Sequence, residues 1–442
     1  MRGIFLPVVL LIWYSCWGAI NRGNLTKFDD KTWTVYFSSL IGSSDINCIS
    51  IDNKGTKWIG TLGAGLAKFD DSSWAIYYPF NSGLPNSVVR AIAVDGSGNT
   101  WIGTGEGISY DTIFEGGLAK FNGTTWTIYN ASNSGLPDYN ITAITIDGSG
   151  TKWIGAYSDG KEYDGLVKFD NTNWTVYSST NSGLPNNYIT SIAIDDSGNK
   201  WIGTKYAGLA KFDGTAWTVY NTSNSGLPNN GITSIAIETN GNKWIGTLGG
   251  GIVKFDGTKW TIYNHSNSGL PDNSVESVAI DADGNKWVGT FRGGLAKFDG
   301  TTWIVYDTSN SELPQNWVSS IAIDSSGNKW IGTSIYYSMA IKVNRDAALK
   351  LLTPLGSNYP NPFKQKTFIS YNILENGPVS LRIYTLDGYL VQTLVNAKQT
   401  IGHYTVSWDG ANVKGKIMAH GMYMYRLTSN SGIFSKKMNF IE

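Results

Sequence analysis

The phrase Gly-Asn-Lys-Trp-Ile-Gly-Thr at Gly241 to Thr247 recurs almost unchanged along the chain. No other feature constrains the fold as tightly. Its tryptophans are Trp58, Trp101, Trp153, Trp201, Trp244, Trp287 and Trp330, spaced 43, 52, 48, 43, 43 and 43 residues apart. A second series runs beside them: Trp33, Trp74, Trp126, Trp174, Trp217, Trp260 and Trp303, each in a phrase like KFDGTAWTVY. Self-similarity at a fixed period of this length means one structural unit built seven times.

One unit, Ile189 to Asn230, divides into four short strands: A (ITSIAID), B (KWIGT), C (GLAKF) and D (WTVY). Each is β-branched and aromatic or alternates, and each ends near Gly, Asp, Asn or Pro. Gly198 in the A–B connection supplies the positive φ of a tight hairpin. Four antiparallel strands per unit predict a propeller blade. The ends predict a closed ring. The first unit, Leu25 to Tyr36, has C and D but no A or B, and the last has A and B but no D. An N-terminal strand D completing the last sheet removes two unpaired edges. For strand C of that sheet, Leu25 to Asp29 fits the consensus better. Met339 to Asn344 lies in the right order and is the expected segment.

The strand-B tryptophan reads as packing between blades, with the Gly two residues on permitting close backbone approach. Seven binding sites are a far less economical explanation of seven identical rings. After Asn344 the repeat stops. Residues 345–356 read as a linker and 357–442 as a small Ig-like β-sandwich of alternating strands and Gly/Asp turns. The expected architecture is therefore all-β: a seven-bladed propeller of four-stranded blades over residues 25–344, then the sandwich.

Composition limits function. Lys+Arg and Asp+Glu both number 34, and only 15% of the 442 residues are charged. That argues against an electrostatic grip on nucleic acid or an anionic membrane. Arg2 before the apolar run Ile4 to Trp13 reads as a signal peptide, residues 1–18. Acylation of Cys16 is a weaker reading, because Trp13 stands where a lipobox carries Leu. No later segment is apolar enough for a transmembrane helix.

The phrases SIAIDDSGNKWIGT, GLAKFDG and NSGLPNN resemble the two-component regulator propeller repeats of bacterial sensor ectodomains, over roughly residues 25–344. The resemblance implies a seven-bladed propeller and, for some members, glycan sensing. The segments NYPNPFKQKTFISYNI, SLRIYTLDGYLVQTL, HYTVSWDG and GMYMYRL, with KKMNFIE at the end, resemble the type IX secretion C-terminal sorting domain. That resemblance implies Sec-dependent export, the type IX machinery as partner, and release or surface attachment.

Turn phrases such as DGSGN (Asp95), DDSGN (Asp195) and DADGN (Asp281) look like calcium loops, but the twelfth position from Asp281 is Arg292 where an EF-hand needs Glu. They read as hairpin turns, and no metal or cofactor is expected. His265 is the one propeller histidine. Streptogramin lyases are seven-bladed propellers with a catalytic His, so a lyase must be weighed; a tolerated loop residue is the simpler reading. No catalytic residue is assigned.

Variation between repeats gathers in the B–C loops and at the entrances to strand A, which share one face. Arg90, Tyr157, Tyr188, Tyr206, Glu276, Phe291, Arg292, Trp317 and Tyr336 are the expected ligand-binding residues there. Loops tolerate change without function, yet aromatics at a channel mouth are also what a binding face needs. The leading expectation is an exported binding module for a glycan or surface partner. A carbohydrate-active lyase and a sensor-like ectodomain detached from its kinase are the alternatives.

Overall fold

The computed structural model describes residues 24–36, 45–79, 81–105, 116–157, 164–334, 355–373, 376–400, 402–430 and 432–441. The expected signal peptide lies outside them. The chain divides into two compact units at Tyr336/Tyr337.

The first unit is seven four-stranded antiparallel sheets. Blade 1 comprises Ile46–Ile51, Lys57–Thr61, Leu66–Phe69 and Trp74–Tyr77 as strands A to D. Strands A of blades 2 to 6 are Val89–Val94, Ile141–Ile146, Ile189–Ile194, Ile232–Ile237 and Val275–Ile280. Blade 7 joins Trp317–Ile323 and Lys329–Ser334 to the N-terminal strands Leu25–Phe28 and Trp33–Tyr36. This corrects the expectation for strand C of the closing blade. Leu25 pairs with Gly332 and Phe28 with Lys329, so strand C is the consensus segment and not Met339 to Asn344, which lies outside the described residues. The physical reason is the C–D hairpin, which travels as a unit. Phe28 stacks on Trp33 at 4.2 Å, as Phe212 stacks on Trp217 at 4.5 Å.

The recurrent tryptophan is packing, and more tightly specified than its sequence suggests. Trp201 is 3% exposed and shares a core with Ile232, Ile245 and Phe255 of the next blade. Its ring lies 14° from parallel to Tyr220 and edge-on to Phe255. Lys243 of the next blade sits 4.6 Å over it. Its indole N–H donates to Asp195 Oδ2 at 2.9 Å. The same bond recurs in every blade, from Trp58 to Asp52 through Trp330 to Asp324, with Glu238 serving Trp244. The calcium-like turns are thus hairpins whose carboxylate satisfies a buried indole. Gly203 follows the ring because a Cβ there would lie 2.6 Å from Ile232 Cγ2 of the neighbouring blade.

The second unit is a sandwich. Leu355–Tyr359, Thr367–Ile373 and Gly402–Trp408 form one sheet. Leu390–Gln399, Gly377–Thr385, Gly421–Ser429 and Gly432–Phe440 form the other, in that spatial order. Its first strand starts inside the stretch read as linker. Trp408, Tyr425, Tyr371 and Phe363 are buried between the sheets. The polar ends of the first two are satisfied: Trp408 Nε1 donates to Ala411 O at 2.7 Å and Tyr425 OH to Gly356 O at 2.8 Å.

Candidate functional site

All seven A strands carry one irregularity. In blades 1 to 6 the first residue pairs with the end of strand B and the third with its Gly, leaving the second as a bulge; Ile189 faces Thr204 and Ser191 faces Gly203, with Thr190 between, and in blade 7, which starts one residue earlier at Trp317, the same bulge falls at Ser319 between Val318 and Ser320. Alternation in ITSIAI hides this extra residue, so the sequence gives no sign of it. The bulged residues are Asn47, Arg90, Thr142, Thr190, Thr233, Glu276 and Ser319. Bulges re-aim side chains. Four of these reach the next blade. Asn47 Nδ2 donates to Val89 O at 3.1 Å, Thr190 Oγ1 to Ile232 O at 2.6 Å, Thr233 Oγ1 to Val275 O at 2.5 Å, and Ser319 Oγ to Ile46 O at 2.6 Å. Third-position serines add a parallel set. Ser191, Ser234, Ser277 and Ser320 accept from the N–H of Ile235, Val278, Ile321 and Ile49 at 3.0–3.2 Å. These bonds lace the A strands to one another at five of the seven blade junctions: 1–2, 4–5, 5–6, 6–7 and 7–1.

Two bulges carry charge instead. Arg90 belongs to blade 2 and Glu276 to blade 6, as the sequence expectation had singled out. Glu276 is half-buried; burial, and then the charge of Asp272, push its carboxyl up to about 7. An ionised carboxylate cannot donate to a neighbouring carbonyl as Thr or Asn does, whereas the protonated acid can.

Aromatics collect where one blade's B–C loop meets the next blade's strand-A entrance. Tyr157 of blade 3 stacks on Tyr188 of blade 4, with centroids 4.1 Å apart and planes 22° from parallel. Tyr206 meets Tyr188 edge-on at 6.3 Å and is 61% exposed. Phe291 of blade 6 meets Trp317 of blade 7 edge-on at 4.8 Å. The Arg292 guanidinium lies 5.1 Å over Phe291, and its main-chain N–H donates to Asp272 Oδ2 at 2.9 Å. The buried indole Nε1 of Trp317 has no hydrogen-bond partner among the described residues. So the expected residues form two clusters, with Arg90 and Glu276 on separate bulges; Tyr336 lies outside the described residues.

One contributor was missed. Lys205 sits 4.4 Å over Tyr188 and 5.4 Å over Tyr206. Burial lowers its pKa, but the two tyrosines outweigh this and raise it. The signal was available: Lys205 follows KWIGT as Tyr157 and Phe291 follow their own repeats. His265, the residue behind the lyase alternative, has Nδ1 3.2 Å from Leu270 O within its own loop, and its main-chain N–H donates to Asn273 Oδ1. Among the described residues no group of three His, Cys, Asp or Glu is placed to hold a metal.

Fold and face together define an all-β class: a closed seven-bladed propeller with an aromatic loop face, and an Ig-like sandwich. Comparison with known proteins agrees with the class. The family model described as two component regulator propeller matches residues 83–106 and 183–206, and the model for a FlgD Ig-like domain matches residues 371–432. Among solved structures, the chain is similar to the extracellular domain of BT3049 from B. thetaiotaomicron, described as a hybrid two-component system. That likeness has a TM-score of 0.56 at 19% identity, over 90% of this chain and 55% of that one. The extracellular domain of BT4673 from the same organism aligns at TM-score 0.50 and 16% identity, over 90% of this chain and 57% of that one. Virginiamycin B lyase from Staphylococcus aureus, in a catalytically inactive form with quinupristin, aligns at TM-score 0.50 and 14% identity, over 71% of this chain and all of the lyase. The chain thus spans little more than half the length of the first two. At these identities the likeness is one of fold. No curated protein matches the chain.

Proposed function

We propose that the chain is an exported binding module whose propeller loop face holds a glycan or the surface of a partner, without turning it over. The observation that carries this reading is the Tyr157–Tyr188–Tyr206 cluster with Lys205, next to strand-A entrances that elsewhere carry Gly231 and Ser274. A position that accepts Gly is not one the fold requires to be filled, and flat rings with one exposed edge suit stacking on sugar rings or apolar surface. His265 gives little support to the lyase alternative. Its ring contact is a loop carbonyl, and a general base is normally oriented by an acidic or otherwise polar partner. The C-terminal sandwich, read through its resemblance, delivers the propeller through type IX secretion to the cell surface or beyond it.

Glycan-array binding paired with mass spectrometry of the incubated ligand tests the reading. Saturable binding with the ligand recovered intact is expected. Recovery of cleaved or eliminated product would replace the module with an enzyme.

A further inference from the structure

The sandwich carries a charge imbalance that the chain as a whole hides. Residues 355–442 hold nine Lys and Arg against four Asp and Glu, although the full chain has 34 of each. The second sheet, Leu390–Gln399, Gly377–Thr385, Gly421–Ser429 and Gly432–Phe440, contains five Lys and Arg and no acidic residue. Leu381, Ile383, Tyr425 and Leu427 are buried in the core. Successive residues of a strand point to opposite faces, so Arg382 and Arg426 stand on the outer face. The two are directly opposed across their strands. Like charges in that position repel. None of the ion pairs among the described residues includes either arginine.

Two contacts hold Arg426 on this face. Its Nε donates to Ser435 Oγ at 3.2 Å, and its guanidinium lies 5.2 Å over the Tyr384 ring. The next row along the face sets Ser380 opposite Asn396 on one side and Thr428 on the other. There the surface opens into a cavity of about 370 Å³, within the size range of small-molecule sites. Its lining includes Pro378, Ser380, Asn396, Thr428, Ser429 and Asn430, and no carboxylate. Pro378, Asn396, Thr428 and Asn430 are exposed, so the cavity is open to solvent.

We infer that this face of the sandwich binds a phosphorylated sugar, with the phosphate on Arg382 and Arg426 and the sugar ring in the adjoining cavity. The site is separate from the propeller loop face and does not rest on the function proposed for it. A phosphomonoester carries about −1.5 to −2 charge at pH 7. That matches two opposed arginines, where a carboxylate would balance only one. Guanidinium forks bind phosphate oxygens two at a time. Successive rows on one face of a strand lie about 7 Å apart, which puts the cavity one row from the charge. Ser380, Thr428 and Asn396 can each donate and accept, as a ring of hydroxyls requires.

The test uses the full chain, with glucose 6-phosphate, glucose and inorganic phosphate as calorimetric probes at pH 7 and low salt. Glucose 6-phosphate should bind at least about tenfold more tightly than either of the others, the scale of one hydrogen bond to a charged group. Raising salt should weaken it. Arg382→Gln combined with Arg426→Gln should remove the advantage without lowering the melting temperature, because a repulsive pair is lost. Asn396→Asp, at an exposed position, sets a carboxylate near the phosphate and should weaken glucose 6-phosphate while both arginines remain. Equal affinity for glucose and glucose 6-phosphate overturns the role of the arginines. Inorganic phosphate binding as tightly as the sugar phosphate overturns the sugar in the cavity. An affinity that both variants leave intact overturns the site, as does no binding of glucose 6-phosphate at millimolar concentration. Binding lost in Tyr188→Ala and kept in the arginine variant would move the sugar phosphate to the loop face and overturn the inference while leaving the binding-module reading in place.

Discussion

At the scale of the residue, the molecule depends on a few side chains that hold others in place. Asp195 is one. Burial alone would raise its pKa, but the bonds from Trp201 and Asn199 keep its carboxyl below the usual range. Asp95, Asp147, Glu238, Asp281 and Asp324 are lowered in the same way. These groups hold protons less tightly folded than unfolded. Their stabilisation is full above the ordinary carboxylate range near ~4 and is lost as pH falls through their folded values. Acid titration of unfolding should therefore show stability dropping below about pH 4, and Asp195→Ala should make that drop shallower. The same variant orphans a buried indole N–H and should cost on the order of 1–3 kcal/mol in denaturant unfolding at neutral pH. A wild-type stability that is flat from pH 6 to pH 2 would contradict this. Glu276 has the opposite sign. Raised to about 7, it holds its proton more tightly folded than unfolded, so its contribution is full below the unfolded value and is lost as pH rises towards 7. Glu276→Gln keeps a donor on the bulge at every pH. It should melt higher than wild type at pH 8 and level with it near pH 4.5; equal melting at pH 8 would count against a strained carboxylate.

At the scale of the element, most of the propeller was legible. The phrases ITSIAID, KWIGT, GLAKF and WTVY became Ile189–Ile194, Lys200–Thr204, Leu209–Phe212 and Trp217–Tyr220. Short strands bounded by Gly and Asp turns leave little freedom in where they end. Three things were hidden for physical reasons. The bulge at Thr190 cannot be seen because a side-chain period of two looks the same with the extra residue. The bond from Trp201 to Asp195 joins residues in different strands, and only hairpin geometry brings them together. Chain order favoured Met339 to Asn344 for the closing strand C, whereas the Phe28–Trp33 stack shows that C and D move as one hairpin. Of the face, the positions were legible and the pairings were not, since Tyr157 and Tyr188 meet only across a blade boundary. The closure carries its own prediction. A chain starting at Phe37 lacks both outer strands of blade 7 and exposes the edge of Lys329–Ser334. Because each blade packs on the next, its thermal unfolding should fall by many degrees. An unchanged transition would refute the closure.

At the scale of the whole molecule, the chain forms two compact units. The propeller has its own interblade cores and the sandwich its own core, so a chain ending at Asn344 should fold. In a host with type IX secretion it should stay in the periplasm while the full chain leaves; export at full-length levels would end the sorting role proposed for the sandwich. Scaffold and proposed binding face should be separable. Tyr188 and Trp317 test it, because each stands at an entrance where another blade has Gly or Ser and neither is fully buried. The decisive measurement is melting temperature and ligand affinity, taken together, on Tyr188→Ala and Trp317→Ala. Affinity weakened by on the order of 1–3 kcal/mol per ring, with melting within a degree or two of wild type, is the expected result. Melting several degrees lower with affinity intact would make these rings packing residues and contradict the binding face.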